Sequence, residues 1–257
     1  MKALFVSCTL KSSPEPSNTE ALGRVVAEAL QDRGVEVEHV RLVDLAVPPG
    51  VVTAVGEGDE WPRVHERLVA SEILVVLTPT WLGRPSSLAQ RMLERMDAMI
   101  SEEGPDGIPV AYNRVAGVVV TGNEDGAHHV ISEVSGALAD IGYTIPGQAW
   151  TYWNQGPGPG PDYVQTGHGH EWARETGRLM AHNLHAVASA LAAHPVPAPG
   201  SCPAPARPPR AAGSARPVRR APRASSSGRT SPSRTPGPAS AARRRAARQA
   251  SRTASST

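Results

Sequence analysis

Hydrophobic positions in the first 193 residues follow two spacings, one typical of strands and the other typical of helices. Short apolar or alternating runs predict five strands, at residues 3–8, 35–40, 73–78, 115–121 and 143–150. Apolar residues three and four positions apart predict five helices, over residues 22–30, 61–70, 88–100, 127–141 and 170–193. Strands and helices therefore alternate along the whole of this part of the chain.

The strand-like runs differ in their exposure pattern, and this difference predicts the sheet. Residues 73–77 and 118–120 are apolar without alternation, as expected of central parallel strands covered by helices on both faces. Residues 35–40 alternate, which suits an edge strand. With right-handed crossovers, the pattern predicts an α/β fold: a doubly wound, five-stranded parallel sheet in a three-layer sandwich. Ligands of such sheets lie at the carboxyl ends of the strands, so we expect the site in the loops after strands one, three and four.

Composition divides the chain into two parts of opposite charge. Residues 195–257 contain 13 arginines and no acidic or aromatic residue, whereas residues 1–194 contain 13 basic and 24 acidic residues, a net charge of about −11. The Arg/Ala/Pro/Ser-rich segment has almost nothing apolar to bury, and burial is what offsets the entropy cost of ordering a chain. We therefore predict a folded domain over residues 1–193 and a disordered tail over residues 194–257.

The charge distribution also limits the partners of each part. A domain this acidic argues against nucleic-acid binding by the domain itself. The arginines of the tail have no aromatic neighbours for base stacking, so any nucleic-acid binding there would be weak and unspecific. The same composition is what GC-rich DNA encodes out of frame, and a frameshift-like extension remains an equal alternative.

Cysteine usage and hydropathy indicate the compartment. The two cysteines, Cys8 and Cys202, are too few for a disulfide scaffold, and a reducing cytosol is the simplest environment. The apolar run at the N-terminus is too short for a secretory signal, and no stretch approaches the roughly 20 apolar residues of a membrane span. We expect a cytoplasmic protein with no membrane partner.

The first of the three loops contains hydroxyl and amide side chains and no glycine. The absence of glycine before Gly23 excludes both the G-x-G-x-x-G of a dinucleotide fold and the glycine-rich P-loop. The sequence Ser17-Asn18-Thr19-Glu20 has two interpretations. It is a capping box, with Ser17 bonded to the amide of Glu20 and Glu20 reaching back, or it is a helix N-terminus that binds a phosphate.

The second and third loops combine glycine with polar and aromatic residues. After strand three, Gly83 lets the backbone come close to a flat ligand, and Trp81 either walls that ligand or fills a gap in the core. After strand four, Gly122 and Gly126 bracket a polar turn, in which Asp125 is an alternative helix cap. Together the loops favour a site for a phosphorylated heterocycle.

These loops resemble the flavodoxin-like NAD(P)H-dependent FMN reductases and related quinone reductases. The similarity rests on the Ser-Asn-Thr stretch after strand one, Thr-Pro-x-Trp-x-Gly-x-Pro-Ser after strand three and Thr-Gly-Asn-x-x-Gly after strand four, and it spans about residues 1–190. The resemblance implies that the first loop holds the FMN phosphate through Thr9, Lys11, Ser17, Asn18 and Thr19. It implies that the flavin ring lies along Pro79, Thr80, Trp81, Leu82 and Gly83, with Thr121, Gly122, Asn123 and Gly126 on its other flank.

Two histidines follow the third loop, and one of them is a candidate for the flavin site. His128 and His129 are adjacent, and neighbours on a helix point about 100° apart, so both rarely bind one ion. We predict no metal site and expect His128 to face the cleft, close to the flavin ring.

The implied activity is that of an FMN-dependent oxidoreductase. A hydride would pass from NAD(P)H to the flavin, and then electrons would pass to a small acceptor such as a flavin or a quinone. No dedicated catalytic residue is expected, and a homo-oligomer, either a dimer or a tetramer, is the expected assembly. The alternative is a flavodoxin-type electron carrier that binds FMN without substrate turnover.

Aromatic residues cluster in the last part of the domain. Six of the ten lie between Tyr143 and Trp172, around a repeated Gly-Pro sequence at residues 156–161. Such a cluster could cover the flavin of a neighbouring subunit, line the substrate pocket or anchor a long loop.

Overall fold

A sheet of five parallel strands forms the centre of the computed structural model, which describes residues 1–156, 158, 160–166 and 170–198. The strands are β1 Lys2–Ser7, β2 Glu36–Arg41, β3 Ile73–Trp81, β5 Val115–Gly122 and β6 Trp150–Asn154, and the short β4 Arg84–Pro85 pairs antiparallel with β3. The helices are α1 Asn18–Gln31, α2 Trp61–Val69, α3 Ser87–Met96, α4 Ala127–Ile141 and α5 Glu171–Ala193. The order of the parallel strands is β2-β1-β3-β5-β6, which is the flavodoxin-like doubly wound order.

Alternate side chains of the strands enter two separate cores, which makes three layers. Leu4 and Val6 of β1 pack with residues of α2, α3 and α4, whereas Ala3 and Phe5 pack with α1 and α5. The apolar side chains of β5 and of residues 73–77 in β3 are buried because both strands are central. The edge position of β2 is also as predicted, and Glu36 is exposed there.

The last strand is the main error of the sequence-based prediction. Residues 143–150 were expected to form it, but β6 begins only at Trp150. Pro146 and Gly147 open a turn closed by a hydrogen bond from Ala149 N–H to the carbonyl of Pro146, and Thr144 makes a single bridge to β5. The Pro146-Gly147 pair turns the chain, so regular pairing with β5 resumes only at Trp150.

Two smaller differences concern residues around the second loop. The helix expected over residues 88–100 ends as an α-helix at Met96 and continues as a 3₁₀ helix, Asp97–Ser101. The chain after β3 folds back into β4, a hairpin that the sequence pattern did not predict. This hairpin forms one wall of the candidate site.

The C-terminal end of the described chain remains attached to the domain beyond the last helix. Val196 exchanges two hydrogen bonds with the side chain of Asn113, at 2.7 and 3.2 Å. The chain divides into two units, residues 1–206 and 207–257. Residues 199–257, most of the predicted tail, lie outside the described residues. Among the helices of the described part, none is long and apolar enough to cross a membrane.

Candidate active site

One cavity of about 450 Å³ lies where the loops after β1, β3 and β5 meet. Twelve of the fifteen predicted site residues line it: Thr9, Lys11, Ser17, Asn18, Thr19, Pro79, Thr80, Trp81, Leu82, Thr121, Gly122 and Asn123. The three loops are distant in sequence, and the parallel sheet brings them together because all their strands end at the same edge.

The polar end of the cavity is built on the first turn of α1. Ser17 caps the helix and accepts a hydrogen bond from the amide of Glu20 at 3.3 Å. Thr19, which is 2% exposed, is hydrogen-bonded through Oγ1 to Oγ1 of Thr121 at 2.6 Å and so joins the first loop to the third. The amides of Asn18 and Thr19 have no acceptor within the helix, because the first turn lacks preceding carbonyls.

Arg41 braces this polar end from the neighbouring strand β2. Its Nε donates to Oε1 of Glu20 at 2.7 Å, its Nη2 pairs with the other carboxylate oxygen, and its Nη1 donates to the carbonyl of Glu15 at 3.0 Å. Burial acts to raise the pKa of Glu20, but the hydrogen bonds and charge of Arg41 outweigh burial, and the pKa lies below its usual value. The capping prediction was therefore half right: Ser17 caps, but Glu20 binds Arg41 instead of reaching back.

A second brace holds the middle of the first loop. Asp44, in the 3₁₀ turn after β2, accepts from both the amide and the hydroxyl of Ser13, at 2.9 and 2.6 Å. These bonds hold the pKa of Asp44 below its usual value. Neither Arg41 nor Asp44 was predicted, because their partners are 21 to 31 residues away in sequence.

The apolar end of the cavity is the β3–β4 hairpin. Exposure rises along it, from 4% at Thr80 to 56% at Trp81 and 92% at Leu82. The hydroxyl of Ser86, just after the hairpin, donates to the carbonyl of Cys8 at 2.6 Å, which ties the hairpin to the end of β1. Trp81 therefore forms a wall of the cavity and does not fill the core.

Three predicted residues do not line the cavity. Gly83 has a φ of 71° and Gly126 a φ of 102°, and a Cβ added at Gly126 would lie 2.8 Å from the Cα of Gly83. Both glycines thus serve the left-handed turns and the close packing of two loops. The expectation that His128 faces the cleft is wrong, because its ring packs edge-on against Trp150 and Tyr152 at 5.2 and 5.1 Å.

Sequence reasoning missed five lining residues, three of them on β6 or on the segment after it. They are Leu10, Glu124, Trp153, Gly158 and Asp162. Asn123 donates to Oδ1 of Asp162 at 3.0 Å, and Oδ1 of Asn18 accepts from the amide of Val164 at 3.0 Å. The concentration of aromatic residues around Trp153 was the available signal.

The aromatic residues near β6 form two groups. Trp153, Tyr163 and His170 pack together, and Trp153 also lines the cavity. Trp150, Tyr152 and Trp172 form a second group next to His128, in which Trp172 is 49% exposed. The cluster therefore does two of the things proposed for it: it anchors the segment after β6 and contributes a wall of the cavity.

A thiol nucleophile and a metal ion are two other sources of chemistry at such a site. Burial raises the pKa of the Cys8 thiol, so this residue is a poor nucleophile at neutral pH. Within the described ranges, no group of three His, Cys, Asp or Glu side chains is arranged to hold a metal ion.

Comparison with known proteins identifies the family. The family model of NADPH-dependent FMN reductases matches residues 1–157. The chain belongs to this family. It is therefore an oxidoreductase with a flavodoxin-like fold, and FMN and NAD(P)H are the ligands that the family assigns to it.

Individual relatives cover most of the domain. The 8-demethyl-8-aminoriboflavin-5'-phosphate synthase of Streptomyces davaonensis is 33% identical over 201 residues, 74% of this chain and 78% of that protein. The divalent metal cation transporter MntH of Mycobacterium bovis is 37% identical over 82% of this chain, but the chain spans only 32% of that protein.

Solved structures agree with the fold. The crystal structure of RosB with bound 8-demethyl-8-formylriboflavin-5'-phosphate superimposes with a TM-score of 0.69 at 32% identity, over 76% of this chain and 82% of that chain. The NADH:FMN oxidoreductase EMOB reaches a TM-score of 0.52 at 13% identity, over 76% of this chain and 91% of that chain, and so supports the fold alone.

Proposed function

We propose that the chain binds FMN in the cavity at the carboxyl edge of the sheet and uses it to pass electrons from NAD(P)H to a small acceptor. The observation that carries the proposal is a single cavity with a polar end at a helix N-terminus and an apolar end at an exposed tryptophan. Its volume of about 450 Å³ lies within the roughly 300–1,000 Å³ usual for small-molecule sites. When bound, the flavin supplies the hydride chemistry.

The polar end suits the phosphate of FMN. The free amides of Asn18 and Thr19 and the positive end of the α1 dipole favour a dianion. Lys11 adds a cation at the rim, and Arg41 neutralises the carboxylate of Glu20, which would otherwise repel the phosphate. These residues bind and orient the ligand and take no part in proton transfer.

The apolar end suits the flavin ring. Pro79, Thr80 and Trp81 of β3 line this end, together with Thr121 and Gly122 of β5. Oγ1 of Thr80 is buried at the floor and has no hydrogen-bond partner among the described residues, so it is available to a polar atom of a ring after a small rearrangement. The exposure of Trp81 and Leu82 leaves the mouth accessible to a second substrate.

Reduction of the bound flavin tests the proposal directly. Purified protein should be yellow, with an absorbance maximum at about 450 nm that is lost on anaerobic mixing with NADPH or NADH and returns with an added quinone or free flavin. A protein that binds FMN but is not reduced by either nucleotide would be an electron carrier instead. A protein that binds no FMN would contradict the proposal.

A second candidate function treats the flavin phosphate as a substrate. It is favoured by the relative that synthesises 8-demethyl-8-aminoriboflavin-5'-phosphate and by the RosB structure, both above 30% identity. Mass spectrometry of the flavin before and after prolonged incubation with the protein distinguishes the two functions. An unchanged mass is expected for a cofactor, and a new flavin species would establish the second function.

We also propose that the protein self-associates and acts in the cytoplasm. Exposed Trp172 packs against Trp150 and Tyr152 of β6, which is the last strand of the sheet among the described residues, and offers an apolar contact for a second copy. Light scattering at several protein concentrations measures the assembly, and a monomer at all concentrations would contradict it. Fractionation of the native cells tests the location.

A further inference from the structure

Three residues other than glycine have a positive φ among the described residues: Leu82, Asn113 and Gln148. Their φ values are 52°, 60° and 53°. Asparagine tolerates this conformation, because its short side chain bonds to the local backbone, but a branched apolar residue does not. Leu82 is therefore the least expected of the three.

The position of Leu82 in a two-residue hairpin makes leucine doubly unfavourable. Trp81 pairs with Arg84, so Leu82 and Gly83 are the two loop residues, and both have a positive φ. Turns of this type strongly prefer Asn-Gly, Asp-Gly or Gly-Gly. Leu82 is also 92% exposed, so its side chain gains almost no burial in return for the backbone strain.

The hairpin is anchored, so Leu82 is held in place. Gly83 packs closely against Gly126, and Nη1 of Arg84 lies 3.4 Å from Oε2 of Glu133 on α4. Strain of this kind persists at functional sites when the surrounding structure determines the backbone. The structure therefore presents an apolar side chain at a fixed point of the cavity mouth.

The gradient of exposure along the hairpin indicates which ligand this side chain meets. Thr80 lies at the floor of the cavity, Trp81 forms a wall and Leu82 stands at the mouth, with exposures of 4%, 56% and 92%. A ligand that fills the cavity is held by the floor and the wall. A ligand that arrives afterwards, from solvent, meets the mouth first.

We propose that Leu82 is a specificity-determining residue for the second substrate, which it contacts as an apolar cap over a planar ring at the cavity mouth. The proposal rests on the proposed function, in which NAD(P)H or the acceptor is that second substrate. This contact would offset the cost of placing leucine at a strained, exposed position.

The test separates the strain from the contact. Leu82→Asn should relieve the strain and raise the thermal midpoint by about 2–4 °C. It should also raise the KM for the nicotinamide nucleotide or the acceptor about tenfold, with the Kd for FMN close to parental. Leu82→Met keeps an apolar side chain and a strained backbone, so its KM and its thermal midpoint should both be close to those of the parent. Gln148→Asn is the matched control, because it relieves similar strain on an exposed turn away from the cavity and should change only the midpoint.

Each result has a distinct meaning. A parental KM for both substrates in Leu82→Asn would overturn the inference while leaving the proposed function intact. A weakened Kd for FMN with an unchanged KM would place the contact on the flavin and would also overturn it. An altered oligomeric state as the only change would assign Leu82 to a subunit contact instead. If the parent protein binds no FMN or is not reduced by a nicotinamide nucleotide, the proposed function fails, and the inference fails with it.

Discussion

The two ends of the cavity are built in opposite ways. At the polar end, Thr9, Ser17 and Thr19 are each at most 5% exposed, and Arg41 bridges the first loop and α1. At the apolar end, Trp81 and Leu82 are mostly exposed and belong to a hairpin with a strained backbone. The polar end is thus already ordered by the protein's own hydrogen bonds, whereas the apolar end offers surface that only a ligand can cover.

This difference suits a site that keeps one ligand and exchanges another. A pre-ordered helix N-terminus binds a phosphate with little cost in side-chain entropy. An exposed apolar rim contributes less to holding the first ligand, but it leaves room for a second. Substitutions at the two ends should therefore have separable effects.

The largest expected effect comes from adding a negative charge at the polar end. Asn18→Asp keeps the oxygen that accepts from the amide of Val164, but places a carboxylate beside the phosphate. FMN affinity should fall about tenfold to a hundredfold, equivalent to about 1–3 kcal/mol. Fluorescence titration measures this, and riboflavin, which lacks the phosphate, is the internal control. An equal loss for riboflavin would show that the phosphate lies elsewhere.

Substitution of Arg41, which holds the polar end from β2, should lower the stability of the folded protein without adding a charge beside the phosphate. Arg41→Met breaks the hydrogen bonds to Glu20 and Glu15 and should cost about 2 kcal/mol of folding stability at neutral pH. Because the pKa of Glu20 is lowered in the folded protein, its stabilisation is present above the usual pKa of a glutamate and is lost as the pH falls below that value and through the folded pKa.

The difference between the thermal midpoints of the parent and of Arg41→Met should therefore narrow in acid, where the hydrogen bond to the carbonyl of Glu15 still distinguishes them. Arg67→Met is the control, since Arg67 makes an exposed ion pair with Glu38 and should cost less than about 1 kcal/mol. A gap between the Arg41→Met and parent midpoints that stays constant down to pH 3 would rule out this account of Glu20.

At the apolar end, substitution of Gly83 should affect folding more than flavin binding. Gly83→Ala forces a side chain into the left-handed region and should cost about 1–2 kcal/mol. Gly136→Ala, in the interior of α4 with open space around it, should instead stabilise by about 0.5–1 kcal/mol. Chemical denaturation measures both. A stable Gly83→Ala protein that has lost FMN would restore the earlier expectation that this glycine touches the flavin.

The smallest effect on flavin binding and stability is expected from removing the residues after the last helix. All residues that line the cavity precede residue 167. Truncation after Ala198 should leave the thermal midpoint and the flavin content unchanged. Truncation after Ala193 removes the two hydrogen bonds between Val196 and Asn113 and should lower the midpoint slightly. A large loss of flavin in the protein that ends at Ala198 would show that the tail contributes to flavin binding.

Sequence patterns predicted the fold and most of the cavity lining for a physical reason. Apolar runs such as Ile73–Leu77 report burial on both faces, and burial on both faces already implies a central parallel strand with helical crossovers. The loops after these strands then converge at one edge whatever their sequence.

The predictions failed where a local sequence signal was compatible with two structures. His128 was expected to face the cleft, but the helix turned its ring toward Trp150 and Tyr152.

By itself, the sequence determined the alternation of strands and helices, the order of the loops and the chemical character of each loop, because these depend on nearest neighbours and on hydrophobic periodicity. Only the tertiary structure decided that Arg41 holds Glu20, that Asp162 joins Asn123 and that Gly126 packs on Gly83. Each of these contacts joins segments more than 20 residues apart. Their geometry depends on how helices pack on a twisted sheet, which no local pattern encodes.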